Sequence, residues 1–245
     1  MQTAPDTRNS SRMNSILRLI ALVSFAVVPF TKADETKKHF VVEAWYIVVP
    51  EAKALALQEK LLDIGSEEKV CDELIATALK GEAQIVSHLR WTAENGETAR
   101  ISEVMEKRYP TEFETPQLPS TAEEAKAFKD EWMVITPTTF EIRLCGPRIE
   151  LTSTSSADGT VTVKGESNHV RFLGMDKFEC FKTKAGFVGT IEQPKFHVIQ
   201  NQMSAVARLG ERILVGTNRV PEPTGHWEFC VIRVSGVKAR EGEKK

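Results

Sequence analysis

What this chain lacks narrows its possibilities first. It has no apolar run long enough to cross a bilayer as a helix: the longest, residues 19–28 (LIALVSFAVV), holds about 10 residues where roughly 20 are needed. It has no CxxC, and Cys71, Cys145, Cys180 and Cys230 stand 74, 35 and 50 residues apart, a spacing that does not fit a zinc site. No GxSxG elbow, P-loop or GxGxxG occurs. His39, His88, His169 and His197 are scattered singly. His226 and Cys230 fall on one predicted strand, where four residues separate them by roughly 13 Å, too far for a nucleophile and its base. The residues therefore predict no catalytic, cofactor-binding or metal-ligating set, and a protein that is not an enzyme and needs no cofactor.

Charge of one sign is also scarce, with 32 Lys+Arg against 34 Asp+Glu. What is present is an ordinary globular composition, 41% apolar, which excludes disorder and collagen-like sequence. A chain of 245 residues buries enough surface to fold without a metal or disulfide.

Arg8, Arg12 and Arg18 lead into the short apolar run, and Thr31-Lys32-Ala33 follows it, which predicts a signal peptide over 1–33 cleaved after Ala33, with an uncleaved anchor as the alternative. A start at Met13 would shorten it. The remaining chain carries 28 basic and 33 acidic residues, net −5, which disfavours nucleic acid as a partner. Export brings the cysteines into an oxidising compartment, where one disulfide and buried free thiols are both open.

Residues 34–119 read as an α/β module. Residues 41–49 (VVEAWYIVV) are a buried strand ended by Pro50, with Trp45 and Tyr46 in the core. Glu43 within it either faces solvent or needs a buried partner. Ala54, Leu57, Leu61 and Ile64 share one helical face, and Val70, Leu74, Ile75 and Ala78 repeat the pattern up to Gly81. Residues 83–92 and 98–105 flank Glu94-Asn95-Gly96-Glu97, the signature of a hairpin turn. A linker over 120–137 includes a charged, helix-compatible stretch at 120–131. Residues 138–237 are predominantly strand: 138–144 and 148–154, split by Cys145-Gly146-Pro147; 160–164 after an Asp158-Gly159 turn; then 169–173, 177–182, 187–191, 195–208, 212–216 and 227–234. Residues 238–245 form a frayed, charged tail. The fold class is α+β, a strand-helix-helix-hairpin unit followed by a mainly antiparallel β region.

The order of these segments resembles the C-terminal core of the bacterial secretins, outer-membrane channel subunits of type II and type III secretion and type IV pili. The resemblance runs through 94–101 (ENGETARI), 146–166 (GPRIELTSTSSADGTVTVKGE) and 193–217 (QPKFHVIQNQMSAVARLGERILVGT), with Gly146, Ile149, Leu151, Asp158, Gly159, Pro194, Gly210 and Gly216 at the motif positions. Residues 226–237 look like the family's closing strand. The resemblance implies a homo-oligomer, secretion- or pilus-system proteins as partners, and a periplasmic or outer-membrane-associated location. The expected role is assembly or scaffolding, with a soluble periplasmic binding module as the alternative. A bilayer-crossing strand needs about 9–11 residues with one apolar face, and 148–154 and 160–164 each offer only two strongly apolar residues per face, so no lipid-facing band is evident and the expectation is a chain that has lost the pore or that contributes only a periplasmic ring surface.

Overall fold

Nine successive positions, 41–49, are apolar apart from Glu43, so the strand they form can be buried on both faces. It becomes the centre of a sheet. A computed structural model describes residues 39–63, 65–116, 121–127, 135–182 and 188–237 of the chain. In it, β1 (His39–Pro50) pairs antiparallel with β2 (Gln84–Glu94) on one side and with β9 (His226–Gly236) on the other. Outside β9 lies β8 (Arg212–Val220), giving the order β2-β1-β9-β8, here sheet A.

The connection from β1 to β2 is α1 (Glu51–Lys60) and α2 (Glu67–Leu79). Acidic residues open both helices, Glu51 in α1 and Glu67 with Glu68 in α2, where they complement the helix dipole. Ala54, Leu57, Val70 and Leu74 are buried, matching the predicted faces; Ile64 lies outside the described residues. These side chains pack on Trp45, Ile47, Val49, Phe229 and Val231 of sheet A. The alternate residues Phe40, Val42, Ala44 and Tyr46 face the other way, onto a second sheet. The molecule is thus helices, sheet A and sheet B in three layers.

Sheet B comprises β3 (Thr98–Ser102), β4 (Met105–Glu114), β5 (Thr136–Ser155), β6 (Thr160–Lys182) and β7 (Val188–Arg208), in the order β3-β5-β6-β7 with β4 also on β5. Ile149 and Leu151 face the core with Val161 and Val163, as the alternation predicted. A third helix, α3 (Ala122–Ala127), falls within the expected linker; residues 120 and 128–131 of the predicted helical stretch lie outside the described residues. So do the signal peptide at 1–33, Phe187 and the tail at 238–245. Strands of the 34–119 and 138–237 segments interleave: β1 pairs with β9, and β3 with β5. The described residues all fall within one compact unit.

Two expectations need correction. Residues flanking Asn95-Gly96 do not form a hairpin, since β2 pairs with β1 and β3 with β5. The turn is real: Gly96 has φ 79, and Glu97 N–H donates to Glu94 O at 3.2 Å. Its function is to pass the chain from sheet A to sheet B, and Gly96 N–H donates to Ser153 O of β5 at 2.9 Å. Second, 138–144 and 148–154 are one 20-residue strand, and residues 160–182 are one of 23. Gly146 and Gly174 bend these strands without ending them, with φ 131 and 123. Both strands are thus longer than the roughly 9–11 residues a bilayer crossing needs. No helix among the described residues is long and apolar enough to cross a membrane.

Candidate interaction surface

The eight motif positions do not converge on one site. Gly146 is where β5 changes partners, from β4 below to β3 and β6 above. A Cβ there would lie 2.1 Å from Glu103 O, so no other residue fits. Ile149 and Leu151 are core residues. Asp158 Oδ1 accepts from the Thr160 N–H at 3.0 Å and its hydroxyl at 2.7 Å, closing the β5–β6 turn beside Gly159. That hydrogen bonding holds the Asp158 carboxyl below the usual carboxylate range. Pro194 sits in β7 opposite Met175. Gly210 turns β7 into β8 and donates to Val234 O at 2.8 Å, and Gly216 lies at a β8 bulge against the Asn201 side chain. Together they shape the strands.

A buried polar cluster pins the two sheets together, and sequence reasoning missed most of it. Glu228 of β9 is 1% exposed, and its carboxylate accepts from His169 Nδ1 of β6, 2.9 and 3.0 Å from its two oxygens. Arg171 Nη1 lies 3.7 Å from the same carboxylate, and Arg171 Nη2 donates to Glu222 O at 2.9 Å. Alongside, Tyr46 Oη and Ser167 Oγ are 2.8 Å apart, and Ser167 Oγ is 3.6 Å from Cys230 Sγ. Burial pushes the Cys230 and Cys71 thiols up to about 12, so both stay protonated. Ser167 bonds Tyr46 and Cys230 and makes no bond to His169, so the cluster contains no nucleophile–base pair. The one signal in the sequence was an acid inside an apolar strand, WEFCVIRV. Glu43 carries the same signal and is buried: it accepts from Arg233 Nε at 2.9 Å and from Arg233 Nη2, with His88 at 3.8 Å.

What the geometry presents outward is a strand edge. β7 is the last strand of sheet B, and no strand among the described residues pairs with its outer side. Its register with β6 is unbroken from Thr160↔Arg208 to Phe172↔Phe196, and Leu209 N–H continues it onto Gly159 O at 3.3 Å. Odd-numbered residues over 197–207 therefore turn their N–H and C=O toward β6, and the even-numbered residues 196–206 turn theirs outward. Where this edge ends, Arg208 N–H is taken by Glu211 Oε2 at 2.7 Å. Residues 196–207 (FHVIQNQMSAVA) contain no Lys, Arg, Asp, Glu or Pro. The opposite edge is unlike it. β3 and β4 share one register along β5 from Thr98 to Pro110, interrupted at Glu103-Val104 and shifted beyond Pro110, and carry Arg100, Glu106, Lys107, Arg108, Glu112, Glu114 and Pro110. Charges and proline are how natural sheets block edge pairing.

Below Gly146, β4 with β5 and β6 with β7 continue as two ribbons. They touch through Tyr109 and Phe196, ring centroids 5.5 Å apart, with Arg143 4.8 Å over Phe196 and Lys107 4.1 Å over Phe172. Such cation–π contacts favour Arg and Lys stacked on a ring face.

Solved structures similar to this chain include several secretins. The secretin-domain β-barrel of InvG from the Salmonella SPI-1 injectisome is 11% identical over 85% of this chain, with a TM-score of 0.43. GspD in the pilotin–secretin AspS–GspD complex of enterotoxigenic E. coli is 11% identical over 83%, TM-score 0.42. PilQ, the type IV competence pilus secretin of V. cholerae, is 14% identical over 84%, TM-score 0.38. This chain spans 65%, 50% and 63% of those three structures. No protein-family model and no curated protein matches the sequence.

Proposed function

We propose that this protein is a non-catalytic, secretin-like envelope component that assembles with copies of itself, as a scaffold in a secretion or pilus-type system at the inner face of an outer membrane. The observation that carries the reading is the outer edge of β7, which offers six N–H and six C=O groups with no charge or proline to block a partner strand. The order of the motif segments supports the secretin side of it. The buried clamp supports a mechanical role, because its His169–Glu228 and Tyr46–Ser167 contacts run between sheets A and B.

Light scattering on the protein purified from the envelope fraction, at micromolar concentration with and without mild detergent, tests the reading. An assembly should elute far above the ~24 kDa of the chain after residue 33, at about 110 Da per residue. A monomer in both conditions rejects self-assembly and leaves a soluble periplasmic binding module. N-terminal sequencing of the same material should begin at Asp34.

A further inference from the structure

Three charged side chains on the open face of sheet B stand in successive rows without an ion-pair partner. We infer that this face is a binding site for an extended segment of another protein, one that carries an acid, a base and an acid at alternate positions. The inference goes beyond self-assembly and does not depend on it, since it uses the face of the sheet and not an edge.

Even-numbered residues of β5 and β6 point away from sheet A, because their odd-numbered neighbours Ile149, Leu151, Val161 and Val163 fill the core. The register sets the outward side chains in rows. Arg148 lies opposite Asn168, Glu150 opposite Glu166, and Thr152 opposite Lys164. Two carboxylates therefore face each other in the middle row, an arrangement that costs a sheet stability unless cations answer both. Arg100 of β3 answers one of them, donating from Nε and Nη2 to the two oxygens of Glu150 at 2.6 and 2.9 Å. The Glu166 side chain forms no salt bridge or hydrogen bond among the described residues, and the Arg100 cation acts on it only at longer range. Arg148 and Lys164, in the rows on either side, have no ion-pair partner among the described residues either.

The unanswered charges thus run positive, negative, positive, one row apart. Rows on one face of a sheet repeat at roughly 7 Å, and an extended chain repeats its same-side side chains at that interval too. The charges border two adjoining hollows of about 380 and 520 Å³ that share Glu150 and Glu166, with Arg148 on the first and Lys164 on the second. A segment laid along the hollows sets one acid on Arg148, a Lys or Arg on Glu166 and a second acid on Lys164. Its base also relieves the contact between Glu166 and Glu150. A second copy of this chain is not the occupant, because no acid-x-base-x-acid run occurs in the sequence.

Fluorescence anisotropy with labelled synthetic peptides tests the inference on the purified protein. The peptide Thr-Asp-Thr-Lys-Thr-Asp-Thr should bind at low ionic strength at least about fivefold more tightly than Thr-Asp-Asp-Thr-Thr-Lys-Thr, which has the same composition, and the preference should fade with added salt, as exposed ion pairs do. Reversing the signs, with Arg148→Glu, Lys164→Glu and Glu166→Lys together, should move the preference to Thr-Lys-Thr-Asp-Thr-Lys-Thr. All three positions are exposed, so the circular dichroism spectrum should be unchanged. Glu166→Gln alone removes a like charge facing Glu150, and should abolish the preference while keeping or raising the melting midpoint. Equal affinity for the two isomeric peptides, no binding of either, or a triple variant that keeps the parent's preference overturns the inference. So does a lowered midpoint in E166Q, which would make Glu166 a structural group. A triple variant that loses self-association by light scattering would assign these residues to contacts between copies; the inference then falls and self-assembly stands.

Discussion

Sheet A and sheet B are built from the same kind of strand and end in opposite situations. Sheet A is short and covered on both faces, by helices on one side and sheet B on the other, so β1 and β9 are almost wholly buried. Among the described residues sheet B is covered on one face only, and its strands reach 20 to 23 residues, well past the body that sheet A can cover. Its open face is polar, with Thr98 bonded to Thr152 at 2.7 Å and Arg100 holding Glu150 at 2.6 and 2.9 Å. The difference separates two tasks. Sheet A supplies the core that holds the fold, and sheet B supplies length, an open face and an edge left unpaired among the described residues.

That division predicts where substitutions hurt. Phe229→Ala should have the largest effect, because Phe229 is fully buried between sheet A and the helices. A cavity of that size costs about 3–5 kcal/mol. Chemical denaturation would measure it as a lower midpoint at unchanged slope. A loss below about 1 kcal/mol would show that sheet A is not the main source of stability.

Next comes the pin between the sheets. Glu228→Gln keeps the volume and one acceptor but removes the charge facing His169 and Arg171, and should cost about 1.5–3 kcal/mol, the range for hydrogen bonds to charged groups. Equilibrium unfolding of E228Q, of His169→Gln and of the double variant isolates the pair: coupling should appear as losses that fail to add. Simple additivity would mean that the sheets are held by apolar packing alone.

The crossing between the sheets ranks third. Gly96 has φ 79 and open space around it, so Gly96→Val brings backbone strain without a clash. A β-branched residue held at positive φ costs on the order of 1–2 kcal/mol. An unchanged melting midpoint would show that the turn relaxes, and that passage from sheet A to sheet B does not depend on it.

These three positions also mark how far the sequence could be read. The apolar run at 41–49, the two helical faces and the Asp158-Gly159 turn were legible because each is decided within a few residues. Asn95-Gly96 was legible as a turn and misread as a hairpin, since choosing between β1 and β5 as partners depends on contacts made far along the chain. The long strands looked broken at Gly146 and Gly174 for a related reason. A glycine that ends a strand and one that bends it look alike until the neighbouring strand is known, and at Gly146 that neighbour is Glu103, 43 positions earlier in sequence. Glu228 showed only as an acid in an apolar strand, and its partners were hidden because His169 and Arg171 come from another sheet. The parity of β7, which selects the residues available to a partner, follows from register alone and no pattern of residue types encodes it.

The smallest expected effect lies where the two sheets meet at the clamp. His197 of β7 is half-buried, with Arg171, His169 and Glu228 around it. Burial lowers its pKa below the ordinary value, the Arg171 cation and His169 add to the lowering, and Glu228 opposes it. The folded state therefore binds the His197 proton less readily than the unfolded chain does. Between the two pKa values the unfolded state holds more protons, so stability rises with pH there. The contribution is complete above the unfolded value, near 6.5, is lost as pH falls from there toward the folded value, and levels off below it. The parent profile sums every ionisable group of the chain, so it alone does not isolate His197. Denaturation midpoints from pH 5 to 8 for the parent and for His197→Gln should differ in slope on the acid side of about 6.5, with the variant flatter. Identical slopes would mean that His197 meets solvent as freely when folded as when unfolded, and that sheet B is open to water right up to the clamp.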